Sequence, residues 1–240
     1  MIKNYQHILF DLDHTLWDFD KNSKEALEEL YFKKVETQKL RENTLGNFDT
    51  FYKVYYQYND KYWELYRKGK VDKQTVRNNR FFDTLKDFSI PDMDLAIFLA
   101  DEYLKISPYK TNLVPGTIEL LNYLKDKYDM HIITNGFNEV QYIKLKHSKL
   151  ENYFDKIITS EEAGVNKPDP QIFDFSLQKI KTKNQHCIMV GDSFTSDIMG
   201  ARNAGIDQIF FKDKRYFPNE KIEEDATFKV SELKTIKLIL

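Results

Sequence analysis

The sequence predicts an α/β fold: a doubly wound parallel sheet interrupted, after its first strand, by an all-helical insert. Three observations carry that reading. From Pro108 onward, short apolar runs alternate with amphipathic stretches, the pattern of strands joined by helical crossovers. From about Lys21 to Ser107 the chain is polar, rich in aromatics and almost free of glycine, and its apolar residues recur at helical spacing. Ahead of that block stands one isolated apolar run, Ile8-Leu9-Phe10, which reads as the first strand of the same sheet.

Taken in order, Ile8 to Phe10 is the first strand. Asn22-Ser23 reads as an N-cap ahead of Lys24-Glu25-Ala26-Leu27. Phe51, Tyr55, Tyr58, Tyr62 and Tyr66 mark a helix, Gly69 interrupts it, and Val71 to Leu85 resumes the pattern. The later strands are His131-Ile132-Ile133, Ile157-Ile158, Cys187-Ile188-Met189-Val190 and Ile209-Phe210-Phe211. Helices are predicted near Thr117 to Lys127, Glu139 to Lys146, Gln171 to Lys179 and Ser196 to Ala204. Right-handed crossovers then give a parallel core from residues 1–19 and 108–240, with a helical insert over 20–107.

Composition narrows the function. At 240 residues with 41% hydrophobic content, the chain can bury a full core. Charged residues of both signs are interspersed and the net charge is -2, which argues against binding a nucleic-acid polymer. A single cysteine, Cys187, excludes an intramolecular disulfide and fits a reducing, cytoplasmic setting. The stretch Met1 to Gln6 has no long apolar run behind it, so no secretory leader is expected, and no segment has the apolar length of a membrane span. The expected oligomeric state is a monomer or a homodimer.

The chemistry is read at the strand ends, where an open parallel sheet binds its ligands. Asp11-Leu12-Asp13-His14-Thr15 follows the first strand. In an extended segment residues i and i+2 project to one side, so Asp11 and Asp13 can converge on one point. Two such carboxylates repel unless a cation or a shared proton compensates. Thr134-Asn135-Gly136 follows the strand at Ile133, offering a hydroxyl, an amide and a flexible backbone. Gly191-Asp192 follows Val190, with Asp197 beyond it, and Lys167 lies in a loop fixed by Pro168 and Pro170. This set suits an oxyanion held beside Mg2+ and a carboxylate.

In that order and at those positions, Asp11 to Thr15, Thr134-Asn135, Lys167-Pro168 and Gly191-Asp192 with Asp197 resemble the four motifs of the haloacid dehalogenase (HAD) superfamily of phosphohydrolases. The resemblance covers roughly residues 5–20 and 108–240, and the insert is similar to the helical cap that one subclass places after the first strand. It implies that Asp11 is the nucleophile, becoming an aspartyl phosphate, and that Asp13 protonates the leaving alkoxide and later activates water. It implies Mg2+ on the Asp11 carboxylate, the Asp13 backbone carbonyl and Asp192, with Asp197 in support. Thr134, the Asn135 amide and Lys167 would hold the phosphoryl oxygens. Dehalogenases of the superfamily lack the second aspartate, since a halide needs no proton; Asp13 therefore favours phosphate esters. His14 stands where the family often has glycine. With Trp17-Asp18-Phe19-Asp20 and Asn22-Ser23, it is similar to the branch of pyrimidine 5'-nucleotidases, whose substrates are nucleoside monophosphates.

Other readings stand beside these. Asp197 is explained equally by a helix N-terminus, which attracts carboxylates. Tyr52, Tyr55, Tyr56, Tyr62, Trp63 and Tyr66 can stack on a base, but a helical stripe is more often packing. Arg67 and Lys70, around Gly69, are candidate substrate contacts from the insert, against the ordinary role of a solvated turn. His14 has no evident partner, and His7, His131, His147 and His186 lack metal-ligand spacing. A phosphosugar phosphatase or phosphomutase is the enzymatic alternative, and a catalytically idle binding protein the non-enzymatic one.

Overall fold

The computed structural model describes residues 5–35, 47–217 and 225–240. Residues Met1 to Asn4, part of the stretch read for a leader, lie outside the described residues. The chain divides into two compact units, Met1–Phe19 with Asn112–Leu240, and Asp20–Thr111. The second junction therefore falls four residues beyond the expected one at 107/108. The reason is local: a 3-10 turn at Ser107–Tyr109 continues the last helix of the insert, and Lys110 Nζ donates to Glu29 Oε2 at 2.9 Å within the helical unit.

The α/β unit is a six-stranded parallel sheet in the order β3-β2-β1-β4-β5-β6. Its strands are β1 (His7–Phe10), β2 (Asp129–Thr134), β3 (Lys156–Thr159), β4 (Cys187–Gly191), β5 (Asp207–Phe211) and β6 (Phe228–Val230). The isolated apolar run lies at the centre: Ile8 pairs with Met130 on one side and Ile188 on the other. Alternation divides the strands between two cores. Ile8, Phe10, Ile132, Ile188, Val190 and Ile209 pack on one face; Leu9, Ile133, Cys187 and Met189 pack on the other. Burial on both faces explains why these strands read as continuous apolar runs. β6 was not foreseen, because Lys229 interrupts its three residues.

The helical unit contains α1 (Phe19–Leu30, whose first residue belongs to the α/β unit), α2 (Phe48–Arg67), α3 (Lys73–Asp87) and α4 (Met93–Ile106). Side-chain caps start three of them: Asn47 accepts from Thr50 N, Asp72 from Thr75 N and Asp92 from Leu95 N. Gly69, at φ 64°, takes the left-handed conformation that turns the chain from α2 toward α3. Phe51, Tyr55 and Tyr62 are buried in α2, so those members of the aromatic stripe are packing residues. Asn22-Ser23 is not a cap. Both residues are buried inside α1, and Ser23 Oγ accepts a hydrogen bond from Tyr103 at 3.0 Å.

The crossover helices of the α/β unit are α5 (Thr117–Leu124), α6 (Asn138–His147), α7 (Ser160–Ala163), α8 (Pro170–Ile180) and α9 (Gly200–Asn203). The helix expected over Ser196 to Ala204 is instead a wide π-helical turn at Phe194–Met199 followed by α9. No described helix is long and apolar enough to cross a membrane.

Candidate active site

The chain order of the sheet reverses between β1 and β4, where an open parallel sheet forms its binding crevice. Asp11 leaves the end of β1, Thr134 ends β2 and Asp192 follows β4. These three neighbouring strand ends bring Asp11 together with two residues more than a hundred positions away in the chain. Lys167, from the loop between α7 and α8, completes the group.

Lys167 is 2% exposed, and its ammonium donates to Asp11 Oδ1 at 2.6 Å, to Asp197 Oδ1 at 2.6 Å and to the Ile133 carbonyl at 2.7 Å. Burial disfavours that charge, but Asp11 and Asp197 outweigh it and hold the lysine protonated above its ordinary value. Asp11 is pushed well above the usual carboxylate range by burial; Lys167 opposes this, while Asp197 and Asp192 add to it. Asp192 is raised to about 6 by burial, with His14 pulling it down and Asp197 pushing it up. Its Oδ1 accepts from Thr15 Oγ1 at 2.9 Å. Carboxylate oxygens of Asp11, Asp192 and Asp197 all lie within 4.8 Å of one another. Three acids at that spacing, Asp11 and Asp197 buried and Asp192 half-buried, are a donor set suited to a hard divalent cation.

Several expectations need correction. Asp13 does not turn its carboxylate to that cluster. Lys144 Nζ donates to its Oδ1 at 2.6 Å and Gln141 Nε2 to its Oδ2 at 2.9 Å; the metal ligand expected from this residue is its backbone carbonyl, which these bonds do not involve. The Asn135 carboxamide is likewise committed: its Oδ1 accepts from Lys167 N at 2.8 Å and its Nδ2 donates to Lys167 O at 3.0 Å. It therefore holds the Lys167 loop instead of reaching outward. Asp197 does lie in the first turn of the segment Phe194–Met199, which Ser193 caps, so the helix-terminus explanation of this carboxylate holds beside its contact with Lys167. Its burial comes from Lys167 and from Ser193 N, which donates to Oδ2 at 3.0 Å. Gly191 permits this approach, since a Cβ there would fall 2.3 Å from Asp197 Oδ2.

Thr134 is buried, and its Oγ1 accepts from Gly136 N at 3.0 Å. His14 adopts φ 64°, a conformation glycine enters freely, and its ring lies 4.8 Å from that of Phe19. Arg67 ends α2 and Lys70 is exposed in the turn to α3, both in the helical unit. Sequence reasoning missed Gln141 and Lys144. The available signal was a polar pair three apart on the helix that directly follows the Thr134 strand end.

The family profile of haloacid dehalogenase-like hydrolases matches residues 5–205. The chain belongs to that family. Among its HAD relatives, pyrimidine 5'-nucleotidase PynA of Streptococcus pneumoniae is 33% identical over 209 residues, covering 86% of this chain and 84% of the relative. Pyrimidine 5'-nucleotidase YjjG of Escherichia coli is 30% identical over 200 residues, covering 83% and 82%. The crystal structure of the HAD-hydrolase YfnB of Bacillus subtilis, bound to magnesium, superposes with a TM-score of 0.85 at 28% identity and covers 99% of both chains. That crystal structure reveals interdomain movement in YfnB.

Proposed function

We propose that this HAD hydrolase is a Mg2+-dependent phosphomonoesterase acting on nucleoside 5'-monophosphates, with pyrimidine nucleotides preferred. The observation that carries the reading is the buried Asp11 carboxylate, held 2.6 Å from Lys167 Nζ and facing Asp192 and Asp197, with a second aspartate two residues on. An Asp11 oxygen forms a bond to phosphorus while the ester P–O bond breaks, and the departing alcohol oxygen takes a proton from Asp13. Water then attacks the aspartyl phosphate, gives its proton to Asp13, and releases inorganic phosphate and free Asp11. Lys167, whose three donors go to Asp11, Asp197 and the Ile133 carbonyl and not to the phosphoryl group expected from the sequence, offsets the charge of Asp11, and the Thr134 hydroxyl receives a phosphoryl oxygen.

The donor set of Asp11, Asp192 and Asp197 fits Mg2+, which when bound neutralises the anionic charge that separates nucleophile from ester. The nucleotide preference rests on the likeness to the two pyrimidine 5'-nucleotidases.

A panel of nucleoside monophosphates and sugar phosphates, assayed with Mg2+, tests substrate class. Pyrimidine nucleotides are expected to turn over fastest; sugar phosphates hydrolysed much faster would reverse the preference. Asp11→Asn is expected to lower kcat by a factor on the order of 10⁴ or more while the fold is kept. Turnover equal to the parent would remove Asp11 as nucleophile.

A further inference from the structure

Helix α6 directs two polar residues, Gln141 and Lys144, onto Asp13. They stand three apart and so share one face of the helix. Gln141 is fully buried and Lys144 is 4% exposed. Each takes one oxygen of the same carboxylate: Lys144 Nζ lies 2.6 Å from Oδ1, and Gln141 Nε2 lies 2.9 Å from Oδ2. Both are themselves held. The Lys144 ammonium sits 4.3 Å from the centre of the Trp17 ring, a cation–π contact behind the ion pair. The Gln141 amide also approaches Thr134 Oγ1 at 3.4 Å and lies against Gly136, where a Cβ would fall 1.4 Å from Nε2. Residue 136 without a side chain is what gives that amide its place.

A buried ammonium is costly, and an apolar side chain on this face of α6 would avoid the cost. Two charge-assisted bonds to the two oxygens of one carboxylate also do more than pair a charge. They fix the rotation of the carboxyl group about its own bond.

We propose that Lys144 and Gln141 are positioning residues that orient the Asp13 carboxyl group toward the oxygen of the departing alcohol. The proposal rests on the reading of Asp13 as the acid of the first half-reaction. In that step the new bond joins Asp11 to phosphorus, the ester bond breaks, its electron pair goes to the alcohol oxygen, and the Asp13 proton follows. How much the step needs that proton depends on the alcohol. A nucleoside alkoxide is a poor leaving group without it, whereas 4-nitrophenolate departs unprotonated. A misaligned acid therefore slows alkyl esters selectively.

The test compares Lys144→Met, Lys144→Arg and Gln141→Leu with the parent and with Asp13→Asn. Each is assayed with Mg2+ on esters running from a nucleoside 5'-monophosphate to 4-nitrophenyl phosphate. The readout is kcat/KM, which covers the steps up to departure of the alcohol. Lys144→Met is expected to lose about 10²-fold on the nucleotide and only a few-fold on the nitrophenyl ester. Gln141→Leu should show the same slope more weakly, and Lys144→Arg should recover part of the loss. Should Lys144→Met fail to fold, Gln141→Leu and Gly136→Ala, which displaces the Gln141 amide while leaving Lys144 in place, decide the matter. A loss equal across all esters, with Asp13→Asn still discriminating among them, overturns the positioning role. If Asp13→Asn itself falls equally on every ester, the acid assignment fails instead.

Discussion

Lys167 directs its donors at three acceptors: two buried carboxylates and a strand-end carbonyl. Lys167→Met would leave the buried carboxylates of Asp11 and Asp197 without the cation they share. Breaking a buried ion pair of this kind costs about 3–5 kcal/mol. Urea denaturation without added metal should show a loss of that size, and an unchanged midpoint would mean that the carboxylates do not depend on the lysine. That Asp11, Asp192 and Lys167 come together was legible, because apolar runs put the two aspartates just after strands and prolines flank the lysine. Asn135 was legible as a position but not in its role, since only the folded loop puts its carboxamide against the Lys167 backbone. Lys144 and Gln141 were not legible, because a polar residue on a helix looks solvated until the partner it faces is known. The backbone of His14 was equally hidden: nothing in a histidine announces φ 64°.

At the scale of single elements, the neighbouring strands β1 and β2 place a histidine pair away from the strand ends that carry Asp11 and Thr134. His7 begins β1 and His131 lies in β2, with His7 Nδ1 3.2 Å from His131 Nε2 and 3.5 Å from Asp129 Oδ2. His131 is 3% exposed, and its Nδ1 is buried with no hydrogen-bond partner among the described residues. Burial, then the neighbouring His7, lowers its pKa to about 4, against the upward pull of Asp155 and Asp129. The unfolded chain takes up that proton near pH 6.5, the ordinary value. Between there and about pH 4 the unfolded state binds more protons than the folded one, so stability falls as pH drops through this window. Below it both states are protonated and the effect levels off. His131→Asn should flatten this part of the profile, by at most about 3 kcal/mol, in denaturation midpoints measured from pH 7 to pH 4. Parallel profiles for parent and variant would remove His131 as the cause. Period and apolar content made most of these elements legible. The start of α1 and the strand β6 were not, because Ser23 is occupied by Tyr103 and Lys229 breaks a three-residue run.

For the whole molecule, two acids just beyond the strand ends carry charge that burial opposes: Asp11 is raised well above the carboxylate range and Asp192 to about 6. A cation that binds only the folded state stabilises it by mass action, about 2.7 kcal/mol at a hundredfold excess over its Kd. Mg2+ should therefore raise Tm, EDTA should reverse the rise, and Asp192→Asn should abolish most of it; a Tm indifferent to Mg2+ in the parent would remove the ion from the site. Two-part organisation was legible from the change in texture along the chain, though its second junction was placed at Ser107 instead of Thr111. That junction carries a consequence of its own. The chain leaves the α/β unit and returns to it along paired strands of backbone: Asp18 N donates to Asn112 O at 3.1 Å, Val114 N to Leu16 O at 2.9 Å, and Trp17 bridges Leu113. Exit and re-entry are thus next-door neighbours stitched together independently of whatever loops out between them. A block joined in this way behaves as a cassette: a descendant or a designer can trim it, or graft in a different one, without shifting a single strand of the chemistry-bearing sheet.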